Sequence, residues 1–156
     1  MTEAISKLKG PSPPLNIKVD EIVGTPTFYD GEYCHMKELV HNSRSLAIKL
    51  ISKQKIPEES YKKEYERIYN EIKILYSLKH ENIIELLGHM ETDQYIILIF
   101  PKFGNPIKKY VRSCIDKAKK GSKRADIDDF HLIFKQIVSA VEELHCNGCI
   151  HRDISD

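Results

Sequence analysis

Between residues 58 and 79 the apolar side chains Tyr61, Tyr65, Ile68, Ile72, Leu75 and Leu78 recur at intervals of three or four, which lines them along one face of a helix. On either side the period changes. "SLAIKLIS" (Ser45 to Ser52) alternates, with Leu46, Ile48 and Leu50 on one face, and "YIILIF" (Tyr95 to Phe100) has the length of a buried strand. Beyond Pro101 the pattern is helical only. The order is therefore strands, one helix, more strands, then helices. Such segregated blocks predict an α+β architecture rather than alternating βαβ units.

The remaining stretches fit around that frame. From Val19 the pattern is strand-like, with short apolar groups broken by Gly24, Pro26, Asp30 and Gly31. Pro57 and the acidic pair Glu58–Glu59 suit the first turn of the helix. "NIIELLGHM" and "QYIILIF", separated by the turn-like "ETD" (Glu91 to Asp93), predict an antiparallel pair. A helix is expected around Ile107 to Ile115, then a solvated link, "DKAKKGSKRADIDD", then a helix from about Asp129 to Cys146. That last helix is apolar on more than one side (Phe130, Leu132, Phe134, Ile137, Val138 and Val141 among others) and expects partners around most of its circumference. Residues 1–18 have no apolar period and carry three of the seven prolines between Pro11 and Pro14, which reads as a flexible tail.

Charge and composition exclude several classes. With 24 basic against 23 acidic side chains, the net charge of +1 offers no bulk attraction to nucleic acid or to an anionic membrane. No signal peptide is visible and no apolar run reaches membrane-spanning length. The four cysteines are not spaced as a disulfide framework, so a reduced setting, cytoplasmic or nuclear, is expected.

Four segments then fall in one order. "LAIKL" puts Lys49 on a strand; "NEIKILYSLKHENII" puts Glu71 on the helix; "YIILIFPKFGN" follows; and "FHLIFKQIVSAVEELHCNGCIHRD" ends in the triplet His151–Arg152–Asp153. In that order and spacing they resemble, respectively, the V-A-I-K strand, helix C, hinge and catalytic loop of eukaryotic protein kinases. "FPKFGNPIKKYV" and the lysine-rich insert look like the cyclin-dependent branch, in particular the monomeric CDK-activating kinases of yeasts. The resemblance implies a kinase small lobe and hinge over 19–103 and part of the large lobe over 104–156, acting on serine or threonine hydroxyls of proteins with ATP as cofactor.

What the resemblance implies for individual residues is specific. Lys49 would hold the α- and β-phosphates of ATP, with Glu71 pairing to fix its reach; taken alone they would be a strand lysine and a solvated helix glutamate. Phe100 would sit beside the adenine, which the carbonyl of Pro101 and the backbone of Phe103 would recognise, since Pro101 has no N–H to donate. Asp153 would accept the proton of the substrate hydroxyl. Gly24 would belong to the glycine-rich phosphate loop, in which "IVGTPTFYDGEY" keeps Gly24 and Phe28 but has Pro26 and Tyr29 where further glycines belong, so weak nucleotide binding is expected. "CNGC" (Cys146 to Cys149) lacks the context of a redox, haem or zinc site, and Asn147–Gly148 reads as a turn. "KAKKGSKR" reads first as a solvated loop, with a nuclear signal or acidic-partner contact as the alternative.

The family also uses an asparagine five residues after the catalytic aspartate and the aspartate of D-F-G to bind magnesium. Neither lies within the 156 residues, and Ser155 stands where a lysine is usual. A truncated kinase, inactive by itself, is therefore expected. The alternative is a non-catalytic interaction module, or decayed remnant, that associates with a protein through the uncovered last helix.

Overall fold

The structure, a computed structural model, describes residues 17–102, 104, 106–119 and 127–154. Most of the expected tail, the centre of the solvated link, Phe103 and Ser155 lie outside the described residues. In chain order the elements are α1 (Val19–Val23), β1 (Thr27–Asp30), β2 (Cys34–His41), β3 (Arg44–Ser52), α2 (Tyr61–Ser77), β4 (Gly88–Glu91), β5 (Tyr95–Pro101), α3 (Ile107–Lys119) and α4 (Ile127–Cys146), with single 3-10 turns at Lys53–Lys55 and Glu58–Ser60. They divide into two compact units, one within Met1–Lys79 and Ile84–Lys102, the other within His80–Ile83 and Phe103–Asp156.

Strand alternation builds the first unit. Five antiparallel strands lie in the order β1-β2-β3-β5-β4, with β3 and β5 in the interior of the sheet. Side chains of these two strands alternate between two cores. On one face Ala47, Ile51, Ile96, Leu98 and Phe100 pack with Ile68, Tyr69 and Ile72 of α2, so the three-and-four spacing of the helix meets the two-residue spacing of the strands. On the other face Leu46, Ile48, Leu50, Ile97 and Ile99 pack with Ile17 and Ile22. The β4–β5 pair forms through the "ETD" turn as expected, with Glu91 opposite Ile96. The β2–β3 hairpin turns on Asn42 and Ser43 with φ of 49° and 61°, the type I′ geometry that matches strand twist.

The strand-like reading from Val19 is corrected at Val19–Val23, which is helical. Five residues cannot sustain a helix alone. Tertiary contacts supply what local propensity lacks: Ile22 is fully buried, Asp20 and Glu21 sit favourably in the first turn, and Lys37 from β2 donates through Nζ to the carbonyls of Val23 (2.9 Å) and Thr25 (2.7 Å). Ile17, inside the segment read as a tail, is itself part of the second core.

In the second unit Tyr110 of α3 meets Phe130 of α4 edge to face, with ring centroids 6.2 Å apart, and His80 is hydrogen-bonded to Ser139 at 3.0 Å. "CNGC" is a helix stop. Gly148 has φ of 69°, its N–H bonds the His145 carbonyl (2.9 Å), and the Cys149 N–H bonds the Leu144 carbonyl (2.8 Å), the paired closure of a Schellman motif. Leu132, Phe134, Ile137 and Val138 of α4 are exposed.

Candidate functional site

Lys49 lies mid-strand on β3, opposite Met36 on one neighbour and Leu98 on the other. It shares a strand face with Ala47 and Ile51, so it points to the side covered by α2. There its Nζ lies 2.7 and 2.8 Å from the two oxygens of Glu71. Glu71 can meet it because its neighbours Ile68 and Ile72 are anchored in the core, which fixes the rotation of the helix. The lysine side chain is 25% exposed and the glutamate 38%, so the pair sits at the edge of the core with access to solvent.

A second anchor sets the helix height against the sheet. Glu91 on β4 accepts hydrogen bonds from Tyr65 (2.9 Å) and Tyr69 and pairs with Lys53. Burial pushes its carboxyl up, but the bonds from Lys53, Tyr69 and Tyr65 outweigh that and hold it below the usual carboxylate range. Burial, then the bond to Glu91, pushes the Tyr69 phenol far above its ordinary value, so it stays a donor.

Beside the Lys49–Glu71 pair lies a cavity of about 240 Å³, walled by Tyr29, Gly31 and Cys34 from the first hairpin and by Arg67 from α2. The hairpin turns at Gly31–Tyr33. Gly31 donates its N–H to the Cys34 carbonyl at 2.9 Å, and a Cβ on Gly31 would lie 2.9 Å from that same oxygen, so any larger residue must shift the turn. Gly24 sits elsewhere. It follows α1 in an ordinary right-handed conformation (φ −74°, ψ −11°) and is not among the cavity residues. Burial pushes the Cys34 thiol up, with Lys49 opposing, which leaves it protonated at neutral pH.

Phe100 is buried opposite Ala47, Pro101 ends β5 opposite Leu46, and the Lys102 N–H bonds the Ser45 carbonyl at 3.0 Å; Phe103 lies outside the described residues. In the second unit Asp153 is exposed and its N–H lies 3.3 Å from His151 Nδ1, while Arg152 takes a left-handed φ of 65°. A non-glycine residue there stores strain of a kind that gathers in functional loops.

The structure thus brings Lys49 and Glu71 together and places Gly31 beside them. Reading the sequence missed Gly31 in that role, and missed Tyr33, Glu64 and Arg67. Glu64, Arg67 and Glu71 recur at three and four residues, and that spacing was the available signal. Among the described residues, no group of three or more His, Cys, Asp or Glu is placed to hold a metal ion, and no helix is long and apolar enough to cross a membrane.

Over residues 21–156 the chain matches the family described as the protein kinase domain. Serine/threonine-protein kinase PSK1 of Saccharomyces cerevisiae is 30% identical over 148 residues, covering 89% of this chain and 10% of that protein. The serine/threonine-protein kinase SIK3 homolog of Danio rerio is 31% identical over 131 residues, covering 82% of this chain and 10% of that protein. The PAS domain-containing serine/threonine-protein kinase of Mus musculus is 31% identical over 120 residues, covering 73% of this chain and 8% of that protein. The chain therefore spans about a tenth or less of the length of these three relatives.

Proposed function

The chain belongs to the protein kinase family, and from that premise we propose that the Lys49–Glu71 pair is the phosphate end of an ATP site in a serine/threonine kinase domain. The two-oxygen contact of Glu71 on Lys49 carries this reading: it aims an ammonium at the edge of a solvent-reachable cavity, where a phosphate oxygen could take up its remaining hydrogen-bonding capacity. ATP, when bound, supplies the γ-phosphoryl group. The residues here suit its polyphosphate, because Lys49, Arg67 and the backbone of the Gly31 turn line an open cavity in which Glu71 holds the lysine and Glu32 is the other carboxylate. In this reading Gly31 is the glycine of the phosphate loop rather than Gly24. Phe100 flanks the adenine, and Pro101 and Phe103 recognise it through their backbone. Asp153 receives the proton of a serine or threonine hydroxyl on a protein substrate. The small lobe is taken as 19–103 and the large-lobe portion as 104–156. Placement in the cyclin-dependent branch rests on "FPKFGNPIKKYV" and the lysine-rich insert alone.

Phosphoryl transfer in the family draws on magnesium ligands that the resemblance puts beyond Asp153, outside these 156 residues. The exposed Leu132, Phe134, Ile137 and Val138 of α4 favour a second reading for the same polypeptide, association with a protein through that helix.

Thermal shift of the full chain with ATP, with and without magnesium, tests the ATP site. Stabilisation that disappears in Lys49→Met is expected. Equal stabilisation of wild type and Lys49→Met would remove the assignment.

A further inference from the structure

The first hairpin is held at one end of its turn, where the Tyr33 carbonyl accepts from the Ser52 N–H at 2.9 Å and Tyr33 and Cys34 pack on the core; the β1 side has less to hold it. All four residues of β1 are exposed, so burial of side chains does not anchor that strand. One side chain of the tip reaches the helix. The Tyr33 hydroxyl donates to Glu64 Oε2 at 2.8 Å and accepts from Arg67 at 3.2 Å, and Arg67 pairs with Glu64 at 2.8 Å, which closes a three-membered polar ring between turn and helix. Glu64 is only 18% exposed, so its bond to Tyr33 is partly shielded from water. The bond to Glu64, then burial, pushes the Tyr33 phenol up and keeps it a donor at neutral pH. Glu64, Arg67 and Glu71 lie along one face of α2, so the ring and the lysine pair share a single rigid support.

We propose that Tyr33, Glu64 and Arg67 form a latch that positions the Gly31–Tyr33 turn over the Lys49–Glu71 pair, which makes Tyr33 a positioning residue for nucleotide phosphates. The phosphate part rests on the ATP reading above; the latch does not. Without the latch the Gly31–Glu32 side of the turn can lift from α2 about the Tyr33–Ser52 main-chain bond, the cavity widens, and backbone groups near Gly31 lose their fixed distance from Lys49. Cys34, which follows Tyr33 and lines the same cavity, reports this opening with no ligand present.

The full chain and its Tyr33→Phe, Glu64→Gln, Glu64→Leu and Lys49→Met variants are treated with iodoacetamide, and the rate at each cysteine is followed by peptide mass spectrometry. Cys146, exposed in the second unit, serves as the internal standard. The same proteins are titrated with a fluorescent ATP analogue. Tyr33→Phe should speed alkylation of Cys34 severalfold, leave Cys146 unchanged, and weaken nucleotide binding by roughly three- to tenfold, the loss of one hydrogen bond. Glu64→Gln keeps an acceptor for the phenol and should stay nearer wild type than Glu64→Leu, a ranking that loss of packing alone would not produce. An unchanged Cys34 rate in Tyr33→Phe and Glu64→Leu overturns the latch, whatever the nucleotide does. A faster Cys34 with unaltered affinity, in a protein where Lys49→Met abolishes binding, overturns the positioning role. If wild type binds no nucleotide, or Lys49→Met binds as well, the ATP reading fails, and the latch stands or falls on Cys34.

Discussion

Two glycines near the N-terminus offer a direct comparison, because family pattern and geometry give them opposite importance. At Gly31 an alanine Cβ would sit 2.9 Å from the Cys34 carbonyl oxygen and 3.2 Å from a ring carbon of Tyr29. The exposed tyrosine ring can swing away at small cost. The carbonyl cannot, because it accepts the Gly31 N–H that closes the turn. Relief therefore means stretching or losing that bond, about 0.5–1.5 kcal/mol, plus residual strain in a three-residue turn, for a total of about 1–3 kcal/mol. At Gly24 the nearest atom to an added Cβ is the Asp20 oxygen at 3.5 Å, ordinary contact, and the backbone already lies in the right-handed region. Alanine there removes unfolded-state freedom and is expected to be neutral or to stabilise by up to about 1 kcal/mol. Urea unfolding at constant m-value separates the two, and nucleotide titration should show loss of affinity for Gly31→Ala alone. If Gly24→Ala proves the more destabilising, or Gly31→Ala shifts stability by less than about 0.5 kcal/mol, the turn is not closed as described here.

Other consequences can be measured the same way. Lys37→Met keeps most of the buried stem but leaves the Val23 and Thr25 carbonyls without their donor, and should cost about 1–3 kcal/mol in urea unfolding, with early loss of protection at Ile22 by hydrogen exchange. Ser43→Gly relieves a left-handed non-glycine residue (φ 61°) in the type I′ turn and should stabilise by about 0.5–1 kcal/mol. The Glu91 carboxyl is held below its ordinary value, so the unfolded state takes up protons first, and stability should fall as pH drops below about 4.3; Glu91→Gln should remove that slope. Burial lowers the pKa of His89, which has the same sign for a base: its contribution is present above about 6.5 and fades as pH falls below it, and His89→Gln should flatten the curve in that window.

The parts of the fold that could be read from the sequence are those in which a repeating pattern decides the burial. Ile68 and Ile72 on α2, and the alternating Leu46, Ile48 and Leu50 on β3, signal their partners because each element buries a whole face. The helix stop at Gly148 was legible for a related reason, since an Asn-Gly pair after a helical run meets a local conformational need. α1 was not legible. Its five residues hold a helix through Ile22 entering a core made by β3 and β5, and through a lysine 14 residues further along the chain accepting the job of a C-cap. No window of sequence around Val19 contains either cause.

The candidate site divides along the same line. Lys49 and Glu71 could be paired on paper because a strand lysine and a helix glutamate 22 residues apart answer to a recognised motif, and a full charge needs a partner when it leaves water. The surrounding wall could not. Whether Gly24 or Gly31 stands beside the pair depends on where the first hairpin turns, and β1 carries an irregular register between Thr27 and Tyr29 that a residue count does not reveal. Tyr33, Glu64 and Arg67 are each unremarkable singly, as a turn tyrosine and two helix charges. They become a unit only when the hairpin tip descends on α2, and that descent is set by the short turn Gly31 permits. The motif thus names the charged pair, while the shape of the space above it is decided by a glycine and a phenol that lie outside the motif.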